Sequence, residues 1–407
     1  MKSSRQSHNS RSVRYEVIAD GAAFGGDAVG RSPDGRAVFV SMLLPGERAL
    51  VEVVEHKPRY DRAKVVELRT LVAGRRSAPC PVYEQCGGCN LQHADITMQR
   101  EMKARVTADL DQRVGAFSYQ PNLNATEPQV LGGAEFGYRN RVRLQSAGAA
   151  GYGFHARSSH DVIPVSFCPI AAPEVNELLK GFAAGEPDEH KDGDRAYRDR
   201  AHRTSGRLED LSVYGAQGRL YRAGTASVHL LGSEFQFPVA GFFQSNLEMT
   251  ERLISEEMLN TEGERALDMY AGCGLFTLFL ARRFTYVTAV ESEPASVAAQ
   301  RLNLAGLQQV TSIEARVEDW CRQDRSQERY DLAVLDPPRA GLSATVRQYL
   351  IKARIGCLIY VSCDPATSAR DVGDLIRGGY RLLSRRIFDF YPQSSHIETV
   401  TVLKQEQ

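Results

Sequence analysis

The sequence lacks the features of a membrane or secreted protein. Its longest apolar run, MYAGCGLFTLFLA, is too short to span a bilayer and is interrupted by glycines. The first twelve residues, MKSSRQSHNSRS, lack the apolar core of a signal peptide, and we expect residues 1–12 to form a disordered polar tail. Eight cysteines without a secretory signal indicate a reducing compartment, where thiols serve as metal ligands or nucleophiles. We therefore expect a cytoplasmic protein.

The sequence also lacks net charge, but its charges are not evenly distributed. Residues 1–76 hold 14 Lys and Arg against 9 Asp and Glu, whereas the whole chain has 50 of each class. An N-terminal excess of positive charge is compatible with nucleic-acid binding, although a solvated surface explains an excess of this size more simply.

Three regions differ in their hydrophobic pattern. Residues 13–76 alternate short apolar runs with Gly, Pro and Asp, which predicts a small all-β barrel. Residues 77–240 mix a cysteine cluster with helical and strand patterns, and their highly charged stretch at 185–208 predicts a surface loop or insertion. Residues 241–407 alternate buried strands with helices, which is typical of an α/β domain with a parallel sheet.

The first strand and turn of the C-terminal region predict a nucleoside site. The segment ALDMYAGCGLFTLFLA runs from a strand through a turn at Gly272 and Gly274 into a helix, and glycine lets a backbone approach a ligand closely. The next strand ends in Glu291, about 20 residues later, where an acid binds ribose hydroxyls in such folds. Because AGCG is not the G-x-G-x-x-G of dinucleotide enzymes, the pattern favours adenosylmethionine over NAD.

Two further strands end in polar residues. YDLAVLDPPRAGL places Asp336 at a strand end, and GCLIYVSC ends in Cys363. Open α/β sheets bind ligands at the carboxyl ends of their strands, so we expect Cys363 to lie near the reactive group of the cofactor. A lone cysteine is more often a small buried apolar residue, and we assign Cys273, Cys321 and Cys357 to that role.

A second group of cysteines has a spacing that suits a metal site. Cys80, Cys86 and Cys89 follow the pattern C-x5-C-x2-C, and Cys168 lies far downstream. Two of the four precede proline, a recurring setting for iron–sulfur ligands. Four cysteines also satisfy structural zinc, although zinc sites more often use two C-x2-C pairs. The C-x3-C-x2-C run of radical adenosylmethionine enzymes is absent from the sequence.

The ordered motifs resemble those of the uracil-C5 RNA methyltransferases, in particular the iron–sulfur ribosomal RNA members with an N-terminal TRAM domain. The similar segments are GFFQSN (241–246), DMYAGCGLFTL (268–278), AVESEPASVAAQRLN (289–303), LDPPRAGL (335–342), YVSCDPATSARD (360–371) and DFYPQSSHIETV (389–400), together with LPGERALVEV and CPVYEQCGGC nearer the N-terminus. The resemblance covers nearly the whole chain. It implies an OB-like TRAM barrel at 13–76, a central α+β iron–sulfur domain at 77–240 and a Rossmann-like methyltransferase domain at 241–407.

The resemblance also implies individual roles. The family's nucleophile falls on Cys363 and its general base on Glu398, and its adenosylmethionine contacts fall on Gln244, Tyr270, Glu291 and Asp336. Uracil C5 is a poor nucleophile until a thiolate adds to C6, and a carboxylate must afterwards remove the C5 proton. For His396 a proton shuttle and a structural role both stay open. Asp364 follows the nucleophile where the family commonly has Asn, and we expect its charge to raise the pKa of Cys363.

The implied partner is RNA. The resemblance favours 23S rRNA, with tRNA as the second candidate, and we expect a monomer without membrane contact. For Cys80, Cys86, Cys89 and Cys168 it favours a [4Fe–4S] cluster with a structural, RNA-facing role. The basic segments KPRYDRAK and GYRNRVRL are candidate RNA contacts, although a salt-bridge role stays open for the second.

Two alternatives come from other functional classes. One is an RNA-binding protein that has kept the fold without catalysis, and the intact Cys363 and Glu398 argue against it. The other is a small-molecule methyltransferase. The barrel and the cysteine group argue against that alternative because a small substrate needs neither.

Overall fold

The computed structural model describes residues 13–117, 128–184, 210–323 and 328–406. The tail expected at residues 1–12 and the charged loop expected at 185–208 fall outside these ranges. Within them, no helix has both the length and the apolar character that a membrane crossing requires.

The N-terminal region folds as a closed five-stranded barrel, as the alternating pattern predicts. Its strands are β1 (Arg14–Ala22), β2 (Ala28–Arg31), β3 (Ala37–Ser41), β4 (Arg48–His56) and β5 (Tyr60–Thr70). They neighbour one another in the order β1-β2-β3-β5-β4, and β4 closes the barrel by pairing with β1. Successive side chains of a strand face opposite sides, so Val38 and Val40 of β3 fill the interior with Val17 and Val51.

The cysteine-rich segment and a long helix follow the barrel. Helix α1 (Ile96–Leu110) begins after Asp95, whose side chain accepts a hydrogen bond from the backbone N of Met98 at 2.8 Å. The helix continues into a π-helical turn, Asp111–Gly115, and buried polar side chains of the helix and of this turn bond the C-terminal sheet. One of these is Lys103, which is 2% exposed.

A small mixed region lies between the barrel and the C-terminal sheet. Its elements are β6 (Gln129–Gly132), β7 (Arg141–Ser146), β8 (Tyr152–His155), β9 (Val162–Pro164), α2 (Pro173–Ala183), β10 (Leu211–Ala216) and β11 (Arg219–Tyr221). Five of the strands form a sheet in the order β11-β10-β7-β8-β9, and α2 covers it. Leu144, Val175, Leu179 and Val213 are buried between the sheet and the helix.

The C-terminal region is a doubly wound sheet with helices packed against it. Its elements are β12 (Thr225–Leu230), β13 (Ser233–Pro238), α3 (Leu247–Glu257), β14 (Gly263–Met269), α4 (Leu275–Leu280), β15 (Phe284–Glu291), α5 (Pro294–Asn303), β16 (Val310–Glu314), α6 (Val317–Cys321), β17 (Leu332–Leu335), α7 (Ala344–Ala353), β18 (Cys357–Ser362), α8 (Pro365–Arg377), β19 (Tyr380–Asp389) and β20 (Glu398–Gln405). Among the described residues the strand order is β16-β15-β14-β17-β18-β20-β19-β6. The first five are parallel, and β20 runs antiparallel to both of its neighbours.

Three strands of the region 77–240 lie with the C-terminal sheet: β12 and β13 pack against its core, and β6 joins the sheet directly. β6 lies within the region 77–240, yet it pairs in parallel with β19 and forms an edge of the C-terminal sheet. This pairing satisfies backbone groups of β19 that would otherwise stay open, and it buries Leu131 in the core of that sheet. The sheet reverses its direction of winding between β14 and β17, and an open α/β sheet binds its ligands at such a point.

Candidate active site

The strand register brings Cys363 and Glu398 together. Ser362, the last residue of β18, pairs with Thr399 of the antiparallel β20. Cys363 and Glu398 are the next residues on the two strands, so both lie at the same edge of the sheet. Leu335 of the neighbouring β17 pairs with Met269 of β14, which puts Asp336 and Tyr270 at that edge as well. Sequence positions more than a hundred residues apart thus converge because parallel strands share one carboxyl edge.

A single large cavity opens at this edge. Its volume is about 1040 Å³, enough for a nucleoside cofactor together with a nucleobase. All six residues that the sequence assigned to catalysis or cofactor binding line it: Gln244, Tyr270, Glu291, Asp336, Cys363 and Glu398. Their convergence is a fact of the geometry, whereas their roles remain proposals.

The glycine turn shapes one wall of the cavity. Gly272 and Gly274 both have positive φ, +54° and +85°, and a Cβ on Gly274 would lie 3.1 Å from side-chain atoms of Gln300 and Leu304. A Cβ on Gly272 would meet nothing within 4 Å, so the backbone there faces open space. The turn can therefore bring its backbone against a ligand, as the sequence predicts.

Glu291 ties the glycine turn to the end of β15. One carboxylate oxygen accepts a hydrogen bond from Gly272 N at 2.9 Å, and the other accepts from Ser292 N and Glu293 N at 2.7 Å each. Three backbone donors fix the position of this carboxylate at the floor of the cavity. Glu291 is therefore both a structural clamp of the turn and an acid facing the site.

Burial and like charges disfavour ionisation at the centre of the cavity. Burial, followed by the charges of Glu398 and Asp336, raises the pKa of Cys363 to about 11, while Arg339 opposes the shift. Burial raises the pKa of Asp336 to about 7, and burial with the nearby Asp336 raises the pKa of Glu398 well above its ordinary value. A cationic ligand in the same cavity would favour the ionised forms of all three groups.

Asp364 does not play the part expected from the sequence. Its carboxylate turns into the N-terminus of α8, where Oδ1 accepts hydrogen bonds from Ala366 N at 3.0 Å and Thr367 N at 2.9 Å. The raised pKa of Cys363 comes from burial and from Glu398 and Asp336 instead. An N-cap carboxylate is held by backbone donors, which explains why an acid is tolerated beside the thiol.

His396 stands at the rim of the cavity. Desolvation by the surrounding walls and the charges of Arg339 and Arg139 lower its pKa to about 4, so the ring is neutral at pH 7. The ring lies 5.6 Å from that of Tyr391 in an edge-to-face arrangement. Because the His396 ring is neutral, it does not attract a phosphate group by charge.

The cavity has lining residues to which the sequence analysis gave no role. Arg339 lies in the LDPPRAGL motif, and Phe242, which is 64% exposed, lies in GFFQSN. Arg139 belongs to GYRNRVRL, which the sequence gave as a candidate RNA contact, and it also lines the cavity, while Arg143 forms an ion pair of 3.6 Å with Asp210. The sequence signal that could have identified Arg339 and Phe242 as site residues was their position within the recognised motifs LDPPRAGL and GFFQSN.

The four cysteines assigned to a metal line a second, smaller cavity of about 170 Å³. Cys80, Cys86 and Cys89 come from one loop, and Cys168 is brought beside them by α2, where the side chain of Asn176 bonds both Cys168 N and Cys168 O. Burial raises the pKa of Cys89 to about 12 and that of Cys168 to about 11. Within the described residues, no three His, Cys, Asp or Glu side chains are close enough to hold one metal ion.

Comparisons with known proteins agree with this geometry. Residues 228–406 match the family model of tRNA (uracil-5-)-methyltransferases, and residues 13–66 match the TRAM domain. A relative from Chromohalobacter salexigens, 23S rRNA (uracil(1939)-C(5))-methyltransferase RlmD, is 32% identical over 99% of this chain and 93% of its own length. An uncharacterized RNA methyltransferase of Streptomyces avermitilis is also 32% identical, over 96% of this chain and 98% of its own.

One solved structure shares the fold along nearly the whole chain. The tRNA (uracil-54, C5)-methyltransferase of Pyrococcus abyssi, solved with S-adenosyl-L-homocysteine, superposes with a TM-score of 0.70 at 22% identity, covering 96% of this chain and 100% of that one. At this identity the likeness concerns the fold. The full-length relatives and the matched family model together show that the chain belongs to the tRNA (uracil-5-)-methyltransferase family of adenosylmethionine-dependent RNA methyltransferases and carries a TRAM domain at its N-terminus.

Proposed function

We propose that the protein methylates C5 of a uridine in 23S rRNA, with Cys363 as nucleophile and Glu398 as general base. The observation that carries the proposal is the placement of a thiol and a carboxyl group side by side at the ends of β18 and β20, inside the cavity that also contains the glycine turn. A buried thiol alone would fit packing. A thiol beside a buried carboxyl group in an open cavity suits nucleophilic addition followed by proton removal.

Cys363 starts the reaction. As a thiolate, its Sγ forms a bond to C6 of the uracil ring, and the electrons of the C5–C6 double bond move towards C5 and O4. The carbon at C5 then becomes the nucleophile that neutral uracil lacks. Because burial and the neighbouring acids raise the pKa of this thiol to about 11, its ionisation depends on positive charge brought into the cavity.

Adenosylmethionine, when bound, supplies an electrophilic methyl group. Gln244, Tyr270, Glu291 and Asp336 would hold it, and they fit because they surround the glycine turn in one continuous cavity. The carboxylate of Glu291 suits ribose hydroxyls, and the open space before Gly272 suits a ligand placed against the backbone.

Glu398 completes the reaction. Its carboxylate removes the proton from C5, the electron pair of that bond restores the C5–C6 double bond, and the bond from C6 to Sγ breaks to release the thiolate of Cys363. Burial raises the pKa of Glu398 well above that of a solvated carboxyl group, which makes its ionised form a stronger base.

We further propose that Cys80, Cys86, Cys89 and Cys168 hold a [4Fe–4S] cluster. The second cavity offers four thiols and is lined by no carboxylate or imidazole, a donor set that suits iron–sulfur or zinc. The cysteine spacing C-x5-C-x2-C differs from the two C-x2-C pairs that zinc sites more often use, and this favours the cluster.

The choice of 23S rRNA rests on the full-length relatives. The Chromohalobacter protein carries that substrate in its name and matches this chain over 99% of its length. tRNA is the second candidate, because the family model and the Pyrococcus structure both name it. Both substrates require the same chemistry of Cys363 and Glu398. The choice between 23S rRNA and tRNA therefore depends on the RNA-binding surfaces.

The test uses purified protein, methyl-labelled adenosylmethionine and separate pools of unmodified 23S rRNA and tRNA. We expect label on C5 of uridine in the 23S rRNA pool, no label with Cys363→Ala, and normal labelling with Cys357→Ala, a control at the opposite end of the same strand. Labelling confined to tRNA would assign the second substrate. No labelling of either RNA by protein that binds cofactor would overturn the proposed activity.

A further inference from the structure

The loop that leads into Glu398 is held mainly by distant parts of the chain. Residues 390–397 connect β19 to β20, and their side chains Tyr391 and His396 line the cavity. Glu398 is the first residue of β20, so its direction depends on how this loop enters the strand. The hydrogen bonds that fix the loop come chiefly from the cysteine-rich segment and from α1.

Asn90, directly after Cys89, bonds the loop through its side chain and its backbone. Its Nδ2 donates to Ser395 Oγ at 2.9 Å, and its Oδ1 accepts from Ser395 N at 2.8 Å. The backbone N of Asn90 and that of Leu91 donate to the carbonyl of Gln393 at 3.1 and 3.0 Å. Nδ2 also donates to Gly25 O of the barrel at 2.7 Å, so this one side chain joins the barrel to the loop.

Gln393 is the most constrained residue of the loop. It is fully buried and has a positive φ of +70°, a conformation that a residue other than glycine adopts when its surroundings impose it. Its backbone N donates to Gln99 Oε1 at 2.7 Å, and its Oε1 accepts from Gln99 Nε2 at 3.0 Å and from Arg76 Nη2 at 2.9 Å. These partners all precede residue 100, and so does Asn90.

Further hydrogen bonds hold the start of the loop, and one of them comes from the C-terminal region, where Asn246 Nδ2 donates to Phe390 O at 3.0 Å. Lys103 Nζ donates to Tyr391 O at 3.0 Å and to Asp389 Oδ1 at 2.6 Å, and Tyr138 Oη donates to Pro392 O at 2.8 Å. Cys363 is held differently, since it follows β18 and precedes the N-cap of α8. Both groups share the register of β18 with β20, and the loop contacts act in addition on Glu398, because the loop leads into the first residue of β20.

We infer that Asn90 is a positioning residue that directs Glu398 towards the reacting uracil. The contact of Asn90 with the loop at Ser395, which comes from outside the methyltransferase sheet, then governs the release of product. The inference rests on the proposed function. It concerns one step, in which the C5–H bond breaks, its proton passes to Glu398, its electrons restore the C5–C6 double bond, and the pair of the C6–S bond returns to Sγ of Cys363. Addition of Cys363 and transfer of the methyl group come earlier and do not require Glu398.

Loss of the Asn90 side chain should therefore slow one step selectively. With Asn90→Ala, we expect the first turnover to methylate RNA at a rate within about threefold of wild type, because Cys363 and the glycine turn keep their supports. The covalent protein–RNA adduct should then persist at least tenfold longer and kcat should fall at least tenfold, with KM for adenosylmethionine within about twofold.

The experiment follows the adduct on denaturing gels in single-turnover reactions of full-length holoprotein with 23S rRNA. Gln217→Ala is the matched control. Like Asn90, Gln217 uses both the nitrogen and the oxygen of its side-chain amide to bond the backbone, here His229 O and His229 N, but it lies outside the loop. Iron content and thermal unfolding of each variant are compared with wild type, since Asn90 adjoins Cys89. Ser395→Ala removes one of the two partners of Asn90 Nδ2 without changing the cysteine segment, and we expect an intermediate adduct lifetime.

The outcomes are distinct. A long-lived methylated adduct in Asn90→Ala and Ser395→Ala, with normal iron content, supports the inference. Wild-type turnover in Asn90→Ala overturns it, and so does a loss of first-turnover methylation equal to the loss of kcat. If Asn90→Ala fails to fold, the inference is tested by the lifetime of the adduct in Ser395→Ala. Absence of methylation and adduct in the wild type would instead count against the proposed function.

Discussion

Cys363 and Glu398 continue the antiparallel register of β18 and β20 by one step beyond the pair Ser362 and Thr399. This relationship places a thiol and a carboxyl group on adjacent strands at the carboxyl edge of the parallel strands. Burial raises the pKa of both groups, which favours their neutral forms. The pair is therefore responsive to the charge of whatever enters the cavity.

The first prediction concerns the ionisation of Cys363. A negative charge on Glu398 disfavours the thiolate, so Glu398→Gln should lower the pKa of Cys363 from about 11 and speed alkylation at a given alkaline pH. The measurement is the rate of iodoacetamide modification of Cys363 between pH 7 and 10, followed by mass spectrometry. Glu264→Gln, at an exposed position, should leave the profile unchanged. A profile that is the same in both variants would show that Glu398 does not act on the thiol.

The second prediction concerns a buried ion pair that joins α1 to the sheet. Arg385 and Asp111 have fully buried side chains 2.7 Å apart. Asp111→Ala would remove a buried carboxylate that bonds the Arg385 guanidinium and should lower the free energy of unfolding by about 3–5 kcal/mol. Asp109→Ala removes an exposed partner of Arg113 on the same helix and should cost about 0–1 kcal/mol. Urea denaturation measures both, and equal losses would contradict the prediction.

The third prediction concerns the glycine turn. Gly274→Ala adds a Cβ 3.1 Å from Gln300 and Leu304 at a φ of +85°, so the turn must move. We expect the affinity for S-adenosylhomocysteine, measured by calorimetry, to fall at least tenfold. Gly306→Ala has the same φ with open space around the new Cβ. It should cost about 1–3 kcal/mol of stability and leave the affinity intact, so a similar loss in both variants would argue against a steric effect on the site.

The fourth prediction concerns the second cavity. Burial raises the pKa of Cys89 to about 12 and that of Cys168 to about 11, so these thiols are protonated at pH 7 and must lose protons when metal binds. Metal affinity should therefore rise as pH increases from 6 to 9. Iron and sulfide content after anaerobic purification should be lost in Cys168→Ser and kept in Cys321→Ser. If the wild type contains zinc and no sulfide, the four cysteines hold a zinc ion and not a cluster.

Local sequence was sufficient to place three of the site residues. Glu291, Asp336 and Cys363 each follow an apolar run, and parallel strands in one sheet end at the same edge, so their proximity follows from the pattern alone. Glu398 could be placed only through the family resemblance, because a single acid before a strand carries no local signal. The expectation for Asp364 considered only its charge, whereas Asp364 followed by Pro365 is also the pattern of a helix N-cap.

The pairing of distant strands and the contacts between distant side chains could not be predicted from the sequence. The joining of Gln129–Gly132 to β19 depends on which edge of the sheet remains open, and this is decided by the completed fold. The contact of Asn90 with Ser395 links residues 305 positions apart, and neither residue differs locally from an ordinary loop residue. Such contacts arise from tertiary packing, so periodicity and motif spacing do not reveal them.

The most direct test of the central claim is to trap the covalent intermediate. Glu398→Gln is incubated with adenosylmethionine and unmodified 23S rRNA, digested with ribonuclease and trypsin, and analysed by mass spectrometry. The account predicts a nucleotide carrying the transferred methyl group, bonded to the peptide that contains Cys363. Methylated RNA without any adduct, or an adduct on a different residue, would contradict it.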